Sequence, residues 1–143
     1  MNDKYFLDTN IIVYSFSDES PAKKAAASDL IKTAIETQKG VISFQVIQEF
    51  LNVATRKFKS PLKANDADRY LKLALDPICK VYSSMELYSQ ALDIMERWQY
   101  SFYDSLIIAA ALKAECKILY TEDLRHEQKI YSMQIINPFY TNI

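Results

Sequence analysis

The chain has 143 residues, half of them hydrophobic, with 17 Lys and Arg against 18 Asp and Glu and a net charge of −1. That suits one domain, expected over residues 1–143, with a sizeable core and no global basic field. Its one glycine, Gly40, excludes a dinucleotide fingerprint or a P-loop, and its one histidine, His126, argues against His-based zinc sites and paired-His acid–base catalysis.

No apolar stretch reaches about 18 residues, so no membrane-spanning helix is expected. The first four residues carry no secretory leader pattern, and a cytoplasmic protein is expected. Cys79 and Cys116 stand far apart among apolar residues and read as reduced core thiols.

In chain order, Tyr5-Phe6-Leu7 is an unbroken apolar triplet. It suits a strand buried on both faces of a parallel sheet. It ends on Asp8, at the strand end where ligands gather in such sheets. The plainer role for Asp8 is to cap the next helix. Residues 15–21 read as a loop, with Ser20 as N-cap and Pro21 opening an amphipathic helix to about Gln38. Gly40 is expected to end that helix in the left-handed conformation.

Residues 41–44 read as a second strand, and residues 45–54 as a helix. Glu49 lies between Val46 and Val53 on one helical face, which draws its carboxylate inward. The alternative is a surface acid at the edge of the apolar stripe. In the basic segment 56–63, Ser60-Pro61 breaks the helix. Lys57, Lys59 and Lys63 are candidate phosphate contacts; a solvated loop is the plainer reading. Asn65 or Asp66 is expected to cap a helix that stops near Asp76-Pro77.

Residues 78–82 read as a third strand. Ser83 or Ser84 caps the next helix, whose apolar side carries Leu87, Ala91, Leu92, Ile94, Met95 and Trp98. Residues 101–112 form the most apolar helix, with Asp104 in its first turn, where the helix dipole alone suffices to favour an acid. Residues 116–121 read as a fourth strand running into Glu122-Asp123. Residues 133–136 read as a fifth, edge strand.

Alternating helices and strands give an α/β fold with a mainly parallel sheet. Asp8 and Asp123 end strands, Glu49 follows one, and Asp104 opens a helix. Four carboxylates brought together repel one another or require a cation. Oxygen ligands without His or Cys point to Mg²⁺ or Mn²⁺. Metal-assisted hydrolysis of a phosphodiester is the chemistry this favours.

The segments Phe6-Leu7-Asp8-Thr9-Asn10, Gln48-Glu49-Phe50, Tyr103-Asp104-Ser105-Leu106-Ile107 and Thr121-Glu122-Asp123-Leu124 together resemble the PIN-domain nucleases, in particular the VapC-type toxin ribonucleases. The resemblance implies a three-layer α/β/α fold with a four- to five-stranded sheet. It implies that Asp8, Glu49, Asp104 and Asp123 are catalytic and bind one or two Mg²⁺ or Mn²⁺ ions, with Thr9, Asn10 and Thr121 supporting them through hydrogen bonds. Glu122 competes with Asp123 as ligand, though the family pattern favours Asp123. His126 has no family role and reads as an exposed or capping residue. The implied reaction is in-line attack of water on phosphorus, leaving a 5′-phosphate. An RNA substrate, a small antitoxin partner and a homodimer are also implied, with no membrane. The rival readings are a non-catalytic scaffold binding RNA or protein, and an aspartate-nucleophile phosphatase. The phosphatase usually has a second Asp two positions after the first, where this chain has Asn10.

Overall fold

The computed structural model describes residues 3–140. The outermost ends of the expected domain, residues 1–2 and 141–143, lie outside the described residues. The chain runs β1 (Tyr5–Leu7), α1 (Thr9–Tyr14), α2 (Pro21–Thr37), β2 (Gly40–Ser43), α3 (Phe44–Arg56), α4 (Ala64–Tyr70), β3 (Cys79–Val81), α5 (Met85–Trp98), α6 (Phe102–Lys113), β4 (Ile118–Tyr120), β5 (Lys129–Ile130) and β6 (Met133–Ile136).

These strands form one sheet in the order β3-β2-β1-β4-β6-β5. Every pairing is parallel except β5 with β6. The first strand of the chain is therefore interior. Tyr5 faces Gly40 on one side and Ile118 on the other. Phe6 and Leu7, on opposite faces of β1, are both fully buried, as a sheet covered by helices on both sides requires. The fold is thus the expected α/β/α sandwich with a mostly parallel sheet.

The sheet has six strands rather than four or five, and β6 is not its edge. The two-residue β5 pairs with it through a turn in which Tyr131 has φ 53°. A strand of two residues is too short to show alternation, and Tyr is not a residue that announces a left-handed turn. Gly40 likewise has a role other than the expected one. Gln38 is the left-handed C-cap of α2, at φ 61°, while Gly40 opens β2 with no positive φ. Its missing side chain is needed for close packing: a Cβ there would lie 2.3 Å from the Ala34 Cβ and 2.7 Å from the Tyr5 ring.

Ser20, Ser84 and Ser101 cap α2, α5 and α6, each accepting from the backbone N–H three residues on. Neither Asn65 nor Asp66 caps α4. That helix starts earlier, with Lys63 at the N-cap and no side-chain cap bond, and the Asn65 side-chain Oδ1 accepts from the Asp66 N–H. The segment continuing α4 widens into a π-helical turn, Leu71–Leu75, and tightens into a 3₁₀ turn, Asp76–Ile78. Pro77 there has no N–H to donate. Leu92, expected on the apolar side of α5, is half exposed. Cys79 and Cys116 are both free and buried.

Candidate functional site

Two adjacent central strands end on the site. β1 delivers Asp8, which caps α1, its Oδ1 accepting from the Thr9 N–H at 2.7 Å. Next to it β4 delivers Thr121, whose hydroxyl donates to Asp8 Oδ2 at 2.8 Å. Thr121 is fully buried and Asp8 only 7% exposed. The cap reading and the site reading of Asp8 are therefore compatible: one oxygen caps, and both are buried at the strand end.

Asn10, in the first turn of α1, holds the loop that follows β4. Its Nδ2 donates to Asp123 Oδ2 at 2.9 Å and lies 3.4 Å from the Thr121 hydroxyl, and its Oδ1 accepts from the Glu122 N–H. The Asp123 N–H in turn donates to the Thr121 hydroxyl at 3.2 Å. Glu49, half-buried on α3, is reached from two sides. The Thr9 hydroxyl donates to Oε1 at 2.5 Å, and the Gln45 amide to Oε2 at 3.1 Å.

Glu122 and Asp123 point to different partners. Glu122 accepts from Tyr14 at 2.5 Å and from Lys23 Nζ at 2.6 Å. Burial works against its charge, but the hydrogen bonds from Lys23 and Tyr14 outweigh it and hold the carboxyl below its ordinary range. Lys23 also lies over the rings of Tyr14 and Phe139. Asp123 is exposed and faces Asn10 instead.

Asp104 stands outside this network. It is half-buried in the first turn of α6, and its N–H donates to the cap Ser101. Among the described residues its carboxylate makes no hydrogen bond. The link to it is indirect: Gln45 donates to the carbonyl of Tyr103, the residue before it, at 3.2 Å.

Asp8 is pushed up from 3.8 to about 7, first by burial. The hydrogen bonds from Thr121 and Thr9 oppose the shift, and the charges of Glu49 and Asp123 add to it. Negative charge is thus concentrated where it is poorly hydrated, an arrangement that favours a cation. The all-carboxylate donor set fits a hard divalent ion. Among the described residues, no three His, Cys, Asp or Glu side chains stand close enough to hold one. Instead the Glu49, Asp8 and Asp123 carboxylates each rest on hydrogen-bond donors of their own.

A cleft of about 1000 Å³ opens beside these groups. Its lining includes Thr9, Asn10, Glu49, Glu122 and Asp123 together with Lys57 and Lys59. Lys63 is not part of it. His126 is half-buried rather than exposed: its Nδ1 accepts from the Asn137 N–H, its Nε2 lies 3.6 Å from Glu127, and its ring stacks on Tyr140. Gln45, Tyr14 and Lys23 escape the sequence reading. Tyr14 stands one helical turn after Asn10, a spacing that could have marked it; Lys23 meets Glu122 only through the fold, 99 positions away.

The family model for the PIN domain matches residues 5–129. No curated protein matches the chain by sequence. Solved structures of the same fold include a toxin–antitoxin complex from Klebsiella pneumoniae (18% identity, 96% of this chain and 100% of that one, TM-score 0.68). Another is VapC20 of Mycobacterium tuberculosis, described as a sarcin–ricin loop cleaving toxin (20% identity, 84% and 90%, TM-score 0.61). A third is VapBC2 from Rickettsia felis bound to a DNA fragment from its promoter (17% identity, 92% and 96%, TM-score 0.62).

Proposed function

Because this chain belongs to the PIN-domain family, we propose that it is a Mg²⁺- or Mn²⁺-dependent endoribonuclease of the VapC type, the toxin of a toxin–antitoxin pair. The observation that carries the reading is the hydrogen-bond network that links Asp8, Glu49 and Asp123 at the carboxyl ends of β1 and β4 through Thr9, Asn10 and Thr121. The ion would be held by Asp8, Glu49 and Asp123, with Asp104 completing the set from α6. Once bound, it would neutralise phosphate charge and make hydroxide available near neutral pH.

The chain's own groups have three tasks. Thr121 and the Thr9 N–H orient the two oxygens of Asp8. Asn10 keeps Asp123 turned toward the site, and the pairing of Glu122 with Lys23 and Tyr14 leaves Asp123 as the available acid of that pair. Lys57 and Lys59 line the cleft where the substrate backbone would run. Hydrolysis by water needs no 2′-hydroxyl, so the choice of RNA is supported by the likeness to VapC20 rather than by the chemistry. The likeness to toxin–antitoxin complexes supports a small antitoxin partner; a homodimer is part of the same reading. Among the described residues no helix is long and apolar enough to cross a membrane; a cytoplasmic site of action belongs to the toxin reading itself.

The test is cleavage of pooled cellular RNA in Mg²⁺ or Mn²⁺, with EDTA and Asp8→Asn as controls. Cutting by the wild type alone, abolished by EDTA, supports the reading. Cutting that survives Asp8→Asn overturns the site. A non-catalytic RNA- or protein-binding scaffold is the second reading, favoured because no three acids among the described residues stand close enough to hold an ion; absence of Mn²⁺ binding at millimolar metal would select it.

A further inference from the structure

Gln45 is 8% exposed in the first turn of α3. Its amide nitrogen has two hydrogens and two acceptors: Glu49 Oε2 at 3.1 Å and the Tyr103 carbonyl at 3.2 Å. The opposite orientation would put Oε1 against both acceptors, so the amide can be placed only one way. In that orientation Oε1 is buried without a partner among the described residues. The side chain is thus arranged for what it donates, at the expense of its own acceptor. With Thr9 on the other oxygen, both oxygens of Glu49 are fixed. The same amide ties α3 to the first turn of α6, next to Asp104.

We infer that Gln45 is a positioning residue for Glu49, setting that carboxylate against the turn that bears Asp104 and thereby setting the affinity of the site for a divalent ion. The inference rests on the metal-dependent reading above. Gln45 itself touches no substrate or ion. Its effect runs through the orientation of a ligand, the kind of support whose loss typically weakens metal binding by about 10- to 100-fold.

The experiment is a double-mutant cycle read by calorimetric titration with Mn²⁺ on wild type, Gln45→Met, Glu49→Gln and the double variant. Unfolding curves verify that each is folded, and Gln45→Leu replaces Gln45→Met if the latter is not. The expected result is a loss of about tenfold or more from Gln45→Met in the wild-type background and no further loss in the Glu49→Gln background. A folded Gln45→Met that binds like wild type overturns the inference, as does an equal loss in both backgrounds. Failure of the wild type itself to bind Mn²⁺ overturns the metal-dependent reading and the inference with it.

Discussion

Thr121 donates its hydroxyl to Asp8 across 113 positions of chain, at 2.8 Å and out of contact with water. The bond joins the ends of two neighbouring parallel strands, so the register of β1 against β4 fixes it. The same hydroxyl accepts from the Asp123 N–H. One buried oxygen thereby relates two acids that the sequence keeps far apart.

Asp8 makes stability depend on pH. Its folded value, about 7, lies above the ordinary 3.8. The folded state holds this proton more tightly, so the contribution is fully present below the unfolded value and lost as pH rises toward about 7. A difference of three units corresponds to about 4 kcal/mol. Urea denaturation in EDTA between about pH 4 and 8 is expected to show this decline in the wild type. Asp8→Asn should flatten it and be the more stable protein at the upper end. Parallel curves would mean that Asp8 is charged at little cost.

Asp123 and Glu122 should separate cleanly. Asp123→Asn is expected to lower Mn²⁺ affinity and RNA cleavage roughly tenfold to a hundredfold or more. Glu122→Gln, whose partners are Lys23 and Tyr14, should retain cleavage within a few-fold. The reverse ranking in a single-turnover assay would reassign the ligand.

The three candidate phosphate contacts divide by place. Lys57 and Lys59 line the cleft and Lys63 does not. Changing Lys57 or Lys59 to Gln should weaken RNA binding and reduce the slope of log affinity against log salt by about 0.7 each. Lys63→Gln should leave the slope unchanged. Fluorescence anisotropy with labelled RNA over a salt series, on the inactive Asp8→Asn background, measures it.

The junction of α2 and β2 gives a stability test with opposite signs. Gly40→Ala forces a methyl group into the Ala34 and Tyr5 side chains and should cost about 1–3 kcal/mol. Two positions earlier, Gln38→Gly relieves a left-handed residue and should add about 0.5–1 kcal/mol. Thermal unfolding of both variants checks the pair; an unchanged Gly40→Ala would mean that α2 at Ala34 and the Tyr5 ring both yield at little cost.

Much of this architecture is legible in the sequence because its signals are strong and local. Tyr5-Phe6-Leu7 is apolar without alternation and stops on a carboxylate, which suits a strand buried on both faces with its end at a ligand pole. Glu49 betrays its partial burial by lying between Val46 and Val53. Asp104, by contrast, opens an apolar helix, and that signal says nothing about which acids it meets; the fold keeps it outside their hydrogen-bond network. Gln45 is illegible for a related reason. A glutamine one turn from a glutamate is ordinary, and its second acceptor lies 58 positions away. Among the described residues the left-handed positions fall on Gln38, Gln99, Glu115, Glu127 and Tyr131, none of which carries the marking of Gly or Asn. Expecting Gly40 to do that work was a sound use of conformational preference at a position where packing decides.

The strand order has a consequence during synthesis. β1 emerges first, yet it lies between β2 and β4, and Thr121 follows Asp8 by 113 positions. At the usual pace of about 5–20 residues per second, roughly 6 to 23 s separate the two. Throughout that interval the ribosome carries a chain whose central strand lacks a neighbour and whose first acid lacks Thr121, Asp123 and the loop that Asn10 holds. The acidic cluster is thus a product of the nearly finished polypeptide, and a chain broken off before Asp123 cannot assemble it.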